Sequence, residues 1–425
     1  MEKIAFLRSF DIEWLSPYVE EVTSGAVGGT RPKLFCTEDP GDLSAYCPEF
    51  ELLAPQATCE EFVERICRWG ADGAISLSWP DENSVRDAAV GETLRSIGIP
   101  MVMHGQEITA RFSDKWETRR IVRDFGLETP GGELLEAGRL KGNTWSGLAY
   151  RHFIEQKAAR LGYPLLAKPL WGCSAEGILF IEDAAAMRRF LDEPPEAGVV
   201  LEKCLSGELC SVEIIGHDGN YILQPLVWKG ATGGAPTLMS ERVRICARRQ
   251  QAETDFLPVA RQLRKLSTEA EVCGAIEVEM IYVDGSYQVI EINPRTSGTT
   301  VISTAASGCN TFQCLQDILR GRWSADRARA LEQHPYCAAQ IPVAPALASG
   351  PAWAGPGVSG FEVVRTRHFA YHGQDFGELL IRCPAADLRT FMDRLDGLRA
   401  ELALPRLDMG AVHDELLPEL RADAA

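Results

Sequence analysis

The sequence predicts an α/β protein, and three observations support this prediction. Short apolar runs recur through the first hundred residues. The stretches between these runs have helical periodicity, which is typical of a parallel sheet with crossover helices. Further along, two extended segments are joined directly by Asp284-Gly285-Ser286, and a short glycine-containing loop of this kind indicates an antiparallel hairpin.

The first hundred residues contain the elements of the parallel sheet. The predicted strands are KIAFLRS, PKLFCTE, FELLAP, GAISLSW and PMVMHG. The predicted helices between them are CEEFVERICRWG and SVRDAAVGETLRSIG. No Gly-x-Gly-x-x-Gly lies between the first strand and its helix, so we do not predict a dinucleotide site there.

Helices and strands continue beyond residue 110. Ser113 or Asp114 is placed to cap a helix in SDKWETRRIVRDFG that ends near Gly126. The segment GLAYRHFIEQKAARLGY is predicted as a helix, followed by the strand PLLAKPL and the turn WGCSAEGILFIED. GVVLEKCLSGELCSVEIIG is predicted as strand, connector and strand, and VISTAASGCNTFQCLQDIL as one apolar helix. A boundary is predicted near residue 330, followed by the strands FEVVRTRHFAY and GELLIRCP and the helix AADLRTFMDRLDGLRAEL.

Composition excludes several classes of partner. The net charge is −17, whereas nucleic-acid binding depends on clustered Lys and Arg. No stretch reaches the roughly 18 apolar residues of a membrane helix, and the N-terminus does not resemble a signal peptide. The 13 cysteines and seven histidines are scattered without CxxC pairs, so neither a disulfide framework nor a structural zinc site is expected. We therefore expect a cytoplasmic protein.

The hairpin carries acidic residues where a buried sheet would be apolar. Pairing 275–283 with 287–293 places Glu279 opposite Glu291 and Glu277 opposite Asn293, all on one face. On this register Val283 faces Tyr287 and Ile281 faces Val289, and Val278, Met280, Ile290 and Ile292 form the core face. Two carboxylates ~5 Å apart repel by roughly 3 kcal/mol at an effective dielectric of ~20.

Two interpretations of this acidic face are open. Carboxylate and amide oxygens are preferred ligands of Mg²⁺ or Mn²⁺, which would relieve the repulsion. Alternatively, the hairpin end is simply solvated. A two-residue loop would shift the register and separate the acids. Arg295 follows directly and is suited to hold a carboxylate or a phosphoryl group.

Lys168 lies in an otherwise apolar strand. Because Pro169 follows it, we expect an edge strand. The ammonium either reaches solvent or binds an anion. Gly172 and Gly177 bound a loop with the spacing of a P-loop, but Ile178 stands where that motif needs lysine. Such a loop can still cover phosphates with its backbone amides.

Taken in order, these segments resemble the ATP-grasp superfamily. The resemblance rests on DKWETRRIVRDFGLETP, GYPLLAKPLWGCSAEGI, VVLEKCLSGELCSVE, GAIEVEM and QVIEINPR, and it covers roughly residues 1–325. In pattern the chain is similar to carboxylate–amine ligases, including the D-alanine–D-alanine ligase and L-amino-acid ligase branches. The resemblance implies an ATP-grasp fold behind an N-terminal Rossmann-like domain.

The resemblance also implies a domain organisation. An N-terminal α/β domain would span 1–110 and the ATP-grasp domain 111–330. Within the latter, a small nucleotide lobe would occupy about 150–215 and a large metal-binding lobe about 216–330. A small C-terminal α+β domain would span 331–425.

Site residues follow from the same resemblance. ATP would be bound by two phosphate lysines, by a loop over the phosphates and by residues along the adenine and ribose: Lys115, Lys168, Gly172, Ser174, Gly177, Glu202, Lys203, Leu205, Glu208 and Lys229. Mg²⁺ or Mn²⁺ would be held by Glu279, Glu291 and Asn293. Arg295 and Lys168 would be catalytic. Leu209 stands where relatives carry a ribose-binding acid, which is why Glu208 is included. Arg295-Thr296-Ser297-Gly298 stands where relatives often carry Arg-x-Gly-Gly. Because of this difference, the details of the substrate pocket are not predicted.

The implied reaction is ATP-dependent amide formation. A substrate carboxylate would attack the γ-phosphate to give an acyl phosphate and ADP, and an amine would then displace phosphate. The alternatives are carboxylation of the biotin-carboxylase type, acylation of a carrier protein, or ATP binding without turnover. Partners would be small carboxylate and amine substrates, and a homodimer is left open. Arg242 and Arg244 are either ligands of a second carboxylate or exposed strand arginines.

Overall fold

Three β-sheets organise the part of the chain that the computed structural model describes. That part comprises residues 2–9, 11–25, 29–38, 43–140, 145–236, 242–348, 360–371, 374–385 and 388–401. None of the helices found in these residues is long and apolar enough to cross a membrane. The mixture of one parallel and two antiparallel sheets confirms the predicted fold class.

The N-terminal sheet is parallel, with strand order β3-β2-β1-β4-β5. Its strands are β1 Lys3–Arg8, β2 Arg31–Cys36, β3 Phe50–Leu52, β4 Gly73–Ser76 and β5 Met101–Val102. The helices of this region are α1 Glu20–Thr23, α2 Cys59–Trp69, α3 Asp81–Ser96 and α4 Gln106–Ser113. The five predicted strands and both predicted helices are therefore confirmed.

The next helix is α5 Lys115–Asp124, and its cap is Asp114 rather than Ser113, which ends α4. A second sheet follows with order β6-β9-β7-β8. It contains β6 Gly132–Leu135, β7 Leu165–Pro169, β8 Leu179–Ile181 and β9 Val199–Lys203, with helices α6 Trp145–Leu161 and α7 Ala184–Asp192. We call this sheet and its helices the small lobe.

The predicted edge position of Lys168 is wrong, because β7 is an interior strand of the small lobe. The proline is tolerated for a local reason. Pairing of β7 with β8 covers only Leu165 to Ala167, so Pro169 has no partner strand on that side. Its other neighbour is β9, where it lies opposite Val199.

The third sheet has nine strands in the order β15-β14-β10-β12-β13-β16-β18-β17, with β11 paired to β10. The strands are β10 Glu208–His217, β11 Asn220–Leu223, β12 Val227–Ala231, β13 Arg244–Cys246, β14 Gly274–Val283, β15 Ser286–Asn293, β16 Tyr336–Val343, β17 Glu362–Tyr371 and β18 Gln374–Pro384. The helices are α8 Gln250–Glu269, α9 Thr300–Ser307, α10 Thr311–Leu319, α11 Ala325–Leu331, α12 Pro345–Ala348 and α13 Leu388–Glu401. We call this sheet with its helices the large lobe.

Two features of the large lobe differ from prediction. The segment expected as one apolar helix breaks at Gly308, which has φ +69°, and Asn310 caps the new helix α10. The sheet also runs across the predicted boundary near residue 330, because β13 pairs with β16. The predicted C-terminal strands are present, but they extend the large-lobe sheet. Of the predicted C-terminal helix, residues 386, 387 and 402 lie outside the described part.

The acidic hairpin has the predicted pairing at its far end and a different loop. Its turn has two residues, Asp284 and Gly285, with φ of 50° and 80°, as in a type I′ turn. Tyr282 therefore faces Tyr287 instead of the predicted Val283. A bulge at Ile290 then restores the register, so that Glu279 faces Glu291 and Glu277 faces Asn293.

The hydrophobic core explains how the sheets are held together. One cluster packs the N-terminal sheet, through Phe6 and Ile75, against Phe312 and Leu315 of α10. A second cluster packs the apolar face of the hairpin against α8, including Val278 and other buried side chains of the hairpin and helix: Met280, Tyr287, Val289, Ile292, Phe256 and Leu263. The N-terminal region is thereby fixed on the large lobe, and the polar face of the hairpin is left to line a cavity.

We expect the Asp114→Ala variant to lose about 1 kcal/mol of unfolding free energy. The Asp114 side chain accepts hydrogen bonds from the backbone amides of Trp116 and Glu117, which would otherwise be unsatisfied at the helix end. Urea denaturation followed by circular dichroism measures the change. Asp114→Asn is the control, since an amide oxygen still caps; an equal loss in both variants would contradict the capping role.

Candidate active site

A cavity lies where the N-terminal region and the two lobes meet. Most of the side chains predicted for the site line it: Lys115, Lys168, Ser174, Leu205, Lys229, Glu279, Glu291, Asn293 and Arg295. These residues come from α5, the small lobe and the large lobe. The fold therefore brings distant parts of the sequence to one place.

The acidic row of the hairpin is bound by Lys229 from β12. The Lys229 ammonium lies 2.9 Å from Glu277 Oε1 and 2.5 Å from Glu279 Oε1. Burial lowers the pKa of Lys229, but the two carboxylates outweigh burial and the net shift is upward. Asn293 donates to Glu277 Oε2 at 3.2 Å. Lys229 thus supplies a positive charge to both carboxylates of β14 within a buried sheet.

Lys115 connects the acidic row to the small lobe. Its ammonium lies 3.1 Å from Glu291 Oε1 and also donates to the carbonyl of Gly172. Burial lowers the Lys115 pKa, and Glu291 reverses this to give a raised value. The position of Lys115 at the start of α5, directly after the capping Asp114, fixes the direction of the side chain.

Lys168 is positioned by a buried carboxylate. The ammonium donates to Glu202 Oε1, and the other oxygen of Glu202 lies 2.7 Å from Arg119 Nη1. All three side chains are nearly inaccessible to solvent. The Glu202 side chain is therefore directed at Lys168 and lies outside the set that lines the cavity. The sequence did not predict that Arg119 pairs with Glu202. Its position in a predicted helix gives no indication of a partner in a distant strand.

Several predicted nucleotide residues do not bring their side chains to the cavity. Lys203 donates to the carbonyls of Gly162 and Tyr163, at 2.9 Å each. Glu208 pairs with Arg249. Neither side chain is among those lining the cavity.

The predicted phosphate loop has an unusual backbone. Gly172 and Gly177 have φ of 111° and 69°, a region that favours glycine. Ser174 and Ala175 between them also have positive φ, and both line the cavity. Gly172 and Gly177 are not among the residues that line it, and their positive φ sets the shape of the loop.

Arg295 is held by the N-terminal region. Its Nε lies 2.6 Å from Asp81 Oδ1, and its Nη2 donates to Asn293 Oδ1 at 3.1 Å. The Trp79 ring lies 5.8 Å from the guanidinium. Asp81 begins α3, more than two hundred residues earlier in the chain, so sequence reasoning had no signal for this pair. Asn293 is consequently fixed from both sides, by Glu277 and by Arg295.

The donor set of the acidic row fits a hard divalent cation. Glu279 and Glu291 supply carboxylate oxygens and Asn293 an amide oxygen, as Mg²⁺ or Mn²⁺ prefers, with water or phosphate completing the shell. Within the described ranges, no three His, Cys, Asp or Glu side chains cluster as a metal site on their own. Burial raises the pKa of Glu279, and its neighbours Glu277 and Glu291 add to the increase while Lys229 opposes it. A bound cation would also lower the pKa of Glu279.

The comparisons with known proteins agree with this geometry. Residues 112–299 match the family described as ATP-grasp domain. This stretch includes the cap of α5, the small lobe and the acidic hairpin. Residues 112–299 therefore form an ATP-grasp domain, and the resemblance noted in the sequence is confirmed.

Two solved structures show how far the fold extends. An L-amino acid ligase from Bacillus licheniformis has a TM-score of 0.65 and 17% identity, covering 94% of this chain and 98% of that one. The ADP complex of purK, an N5-carboxyaminoimidazole ribonucleotide synthetase, has a TM-score of 0.69 and 12% identity, covering 94% and 96%. The ATP-grasp fold thus covers most of the chain.

The curated relatives match this chain over a smaller share of their own length. A carbamoyl-phosphate synthase from Methanobrevibacter smithii is 23% identical over 277 residues, which are 64% of this chain and 70% of that protein. An arginine-specific carbamoyl phosphate synthase large chain from Bacillus subtilis is 21% identical over 59% of this chain, but the match spans only 23% of its own length. These matches support the ATP-grasp fold assigned from the sequence, whereas the reaction and the substrates stay a prediction.

Another buried carboxyl lies beside the acidic row, on the neighbouring strand β10. Glu213 of β10 is opposite Glu277 and accepts hydrogen bonds from Thr300 Oγ1 at 2.5 Å and Thr311 Oγ1 at 2.7 Å. It therefore binds the first residues of α9 and α10 to the sheet. Burial raises the pKa of Glu213 to about 7, although the hydroxyl donors oppose the shift. Sequence reasoning did not single out this residue.

Glu213 should make stability depend on pH. Between its ordinary pKa of 4.5 and about 7, the folded chain holds a proton that the unfolded chain has released. The free energy of unfolding therefore falls as the pH rises through this window, by about 3 kcal/mol in total. Glu213→Gln should remove that part of the slope, as measured by urea denaturation at pH 5 and pH 8. The exposed Glu269→Gln is the control, and an unchanged slope in Glu213→Gln would contradict the assignment.

Proposed function

We propose that the protein is an ATP-dependent carboxylate–amine ligase that forms an amide bond through an acyl phosphate. One observation carries the proposal: the paired acids of the hairpin share a cavity with Lys115, Lys168 and Arg295. Phosphoryl transfer needs positioning and charge neutralisation more than a nucleophilic side chain, and this set of residues supplies both. The named solved neighbours include ligases and an ADP complex, which supports the same reading.

The residues divide into roles along the triphosphate. Lys115, Lys168 and the loop around Ser174 would contact the phosphates, and Leu205 would lie along the adenine. Glu279, Glu291 and Asn293 would hold Mg²⁺, which when bound neutralises the phosphate oxygens. Lys229 keeps Glu279 oriented in the structure. Glu208 is less favoured as a ribose ligand, because Arg249 binds its carboxylate.

The proposed reaction has two steps. A substrate carboxylate oxygen bonds to the γ-phosphorus as the bond to ADP breaks. The nitrogen of the amine then attacks the acyl carbon, phosphate leaves and the amine loses a proton. Arg295, fixed by Asp81, is oriented to stabilise negative charge on the acyl phosphate.

Hydroxylamine trapping tests this proposal. The protein is incubated with ATP, Mg²⁺ and a panel of amino acids, and ADP and acyl hydroxamate are both measured. Joint formation of the two products is expected for at least one acid, with no carrier protein present. ADP formed only with bicarbonate would instead favour carboxylation of the kind named in the biotin carboxylase neighbours. Neither product with any acid would overturn the ligase proposal.

We expect Glu291→Gln to reduce kcat by at least 100-fold while the fold is kept. The amide retains the shape of the side chain but loses the charge opposite Glu279 that a divalent cation needs. Hydroxamate formation at a series of Mg²⁺ concentrations measures the effect. Glu269→Gln on the exposed end of α8 is the control; wild-type turnover at ordinary Mg²⁺ in Glu291→Gln would remove this residue from the metal set.

We expect Lys168→Met to weaken ATP binding by about tenfold or more, equivalent to about 1.4 kcal/mol. Isothermal titration with a non-hydrolysable ATP analogue measures the dissociation constant. Lys203→Met on neighbouring β9 is the matched control, since its ammonium binds Gly162 and Tyr163 away from the cavity. Equal affinities in the two variants would show that Lys168 does not contact the nucleotide.

A further inference from the structure

Arg244 presents a buried cation to the cavity. It lies on β13, is 4% exposed and lines the cavity wall. Its Nη1 donates to the Gln340 side chain at 3.0 Å and to the carbonyl of Gly298 at 3.2 Å, while its Nε is buried without a hydrogen-bond partner. In the described part of the chain, Arg244 forms no ion pair with an Asp or Glu side chain. Burial lowers the pKa of Arg244, and the charges of Glu378, Glu277 and Glu279 oppose this shift without cancelling it. A bound anion would therefore relieve the cost of burying the guanidinium.

The orientation of Arg244 is fixed by a chain of buried side chains. Gln340, which accepts from Arg244, donates to Glu378 Oε2 at 2.5 Å. The other oxygen of Glu378 binds Arg365. Arg365 in turn donates to the carbonyl of Ser16 at 2.7 Å and to that of Trp14 at 3.3 Å. Strands of the large lobe therefore fix both Arg244 and the Trp14 segment of the N-terminal region.

Part of the cavity wall is aromatic. Trp14, Leu15 and Trp79 line the same cavity, and both indoles are only half-buried. The Arg367 guanidinium stacks 3.8 Å from the Trp14 ring on the side of the C-terminal strands. An indole held in this way offers a flat apolar surface at little entropic cost to a ligand. The cavity thus combines an anion-binding group with an apolar wall.

The position of Arg244 separates it from the phosphate-binding residues. β13 is the neighbour of β12, which carries Lys229, so Arg244 lies on the far side of β12 from the two hairpin strands. The small-lobe lysine that is proposed for the phosphates, Lys168, is paired with Glu202. Among the described residues, no carboxylate lies at ion-pair distance from Arg244, which makes it the better partner for a separate anion.

From these observations we propose that Arg244 recognises a free carboxylate on the amine substrate, whose apolar side chain lies against Trp14. The inference rests on the proposed ligase function and narrows its second substrate to amino acids with a large apolar side chain. A guanidinium binds a carboxylate bidentately, and removing the carboxylate leaves the buried cation unpaired. The two substrates are then distinguished by different arginines, Arg295 for the activated acyl group and Arg244 for the group that does not react.

Binding of a matched pair of probes tests this assignment without turnover. L-phenylalanine and L-phenylalaninamide are titrated calorimetrically into the protein saturated with a non-hydrolysable ATP analogue and Mg²⁺. We expect the acid to bind at least tenfold more tightly than the amide. L-alanine should bind more weakly than L-phenylalanine, because it leaves the indole wall uncovered.

Variants identify the residue responsible. Arg244→Gln should abolish the preference for the acid while the amide still binds, a result that misfolding would not produce. Arg244→Lys should recover part of the preference. Arg248→Gln, on an exposed neighbour of the same segment, is the control and should keep the full preference. Equal or absent binding of the two probes by the wild type, or an undiminished preference in Arg244→Gln, overturns the assignment. Absence of hydroxamate formation would instead refute the ligase proposal, which has its own readout.

Discussion

The opposition of Glu279 and Glu291 on neighbouring strands is the constraint on which the rest of the site depends. Two carboxylates at this spacing repel by roughly 3 kcal/mol at an effective dielectric of ~20, and a stable fold needs cations beside them. The structure supplies Lys229 from the adjoining part of the sheet and Lys115 from the start of α5. Because Lys115 also reaches Gly172, the acidic pair fixes the position of the phosphate loop of the small lobe.

Buried charges also attach the N-terminal region and the C-terminal strands to this centre. Arg295 pairs with Asp81 at the start of α3, and Arg365 on β17 binds the carbonyl of Ser16. Each of these contacts joins segments that are hundreds of residues apart in the chain. A buried guanidinium that lost its partner would carry a large desolvation cost, so these contacts stabilise the packing of the N-terminal region and the C-terminal strands around the cavity.

The sequence predicted those parts of the fold that depend on local pattern. The alternation of apolar runs with helical stretches predicted the parallel sheet. Counting residues along the hairpin paired Glu279 with Glu291. The loop length was wrong, and the pairing survived because the bulge at Ile290 compensated for the shorter turn. No residue pattern reveals a bulge of this kind, since any residue can occupy it. The break at Gly308 shows the opposite case, in which one glycine in an apolar run ended a helix that hydrophobicity favoured.

The sequence did not predict which side chains pair with the site residues. These pairs determine which ligands the cavity can distinguish. Glu202 was expected along the adenine, and the structure turns its side chain to Lys168 and Arg119. Arg242 and Arg244 were equivalent in the sequence, yet only Arg244 is buried and held by Gln340, a residue of the strands predicted as a separate domain. Because β13 pairs with β16, those strands form a wall of the cavity. The hairpin therefore supplies acidic oxygens to the cavity, and β13 supplies the guanidinium of Arg244 on another wall. Under the proposed function, this arrangement would separate the position of a cation-bound triphosphate from that of an anionic substrate.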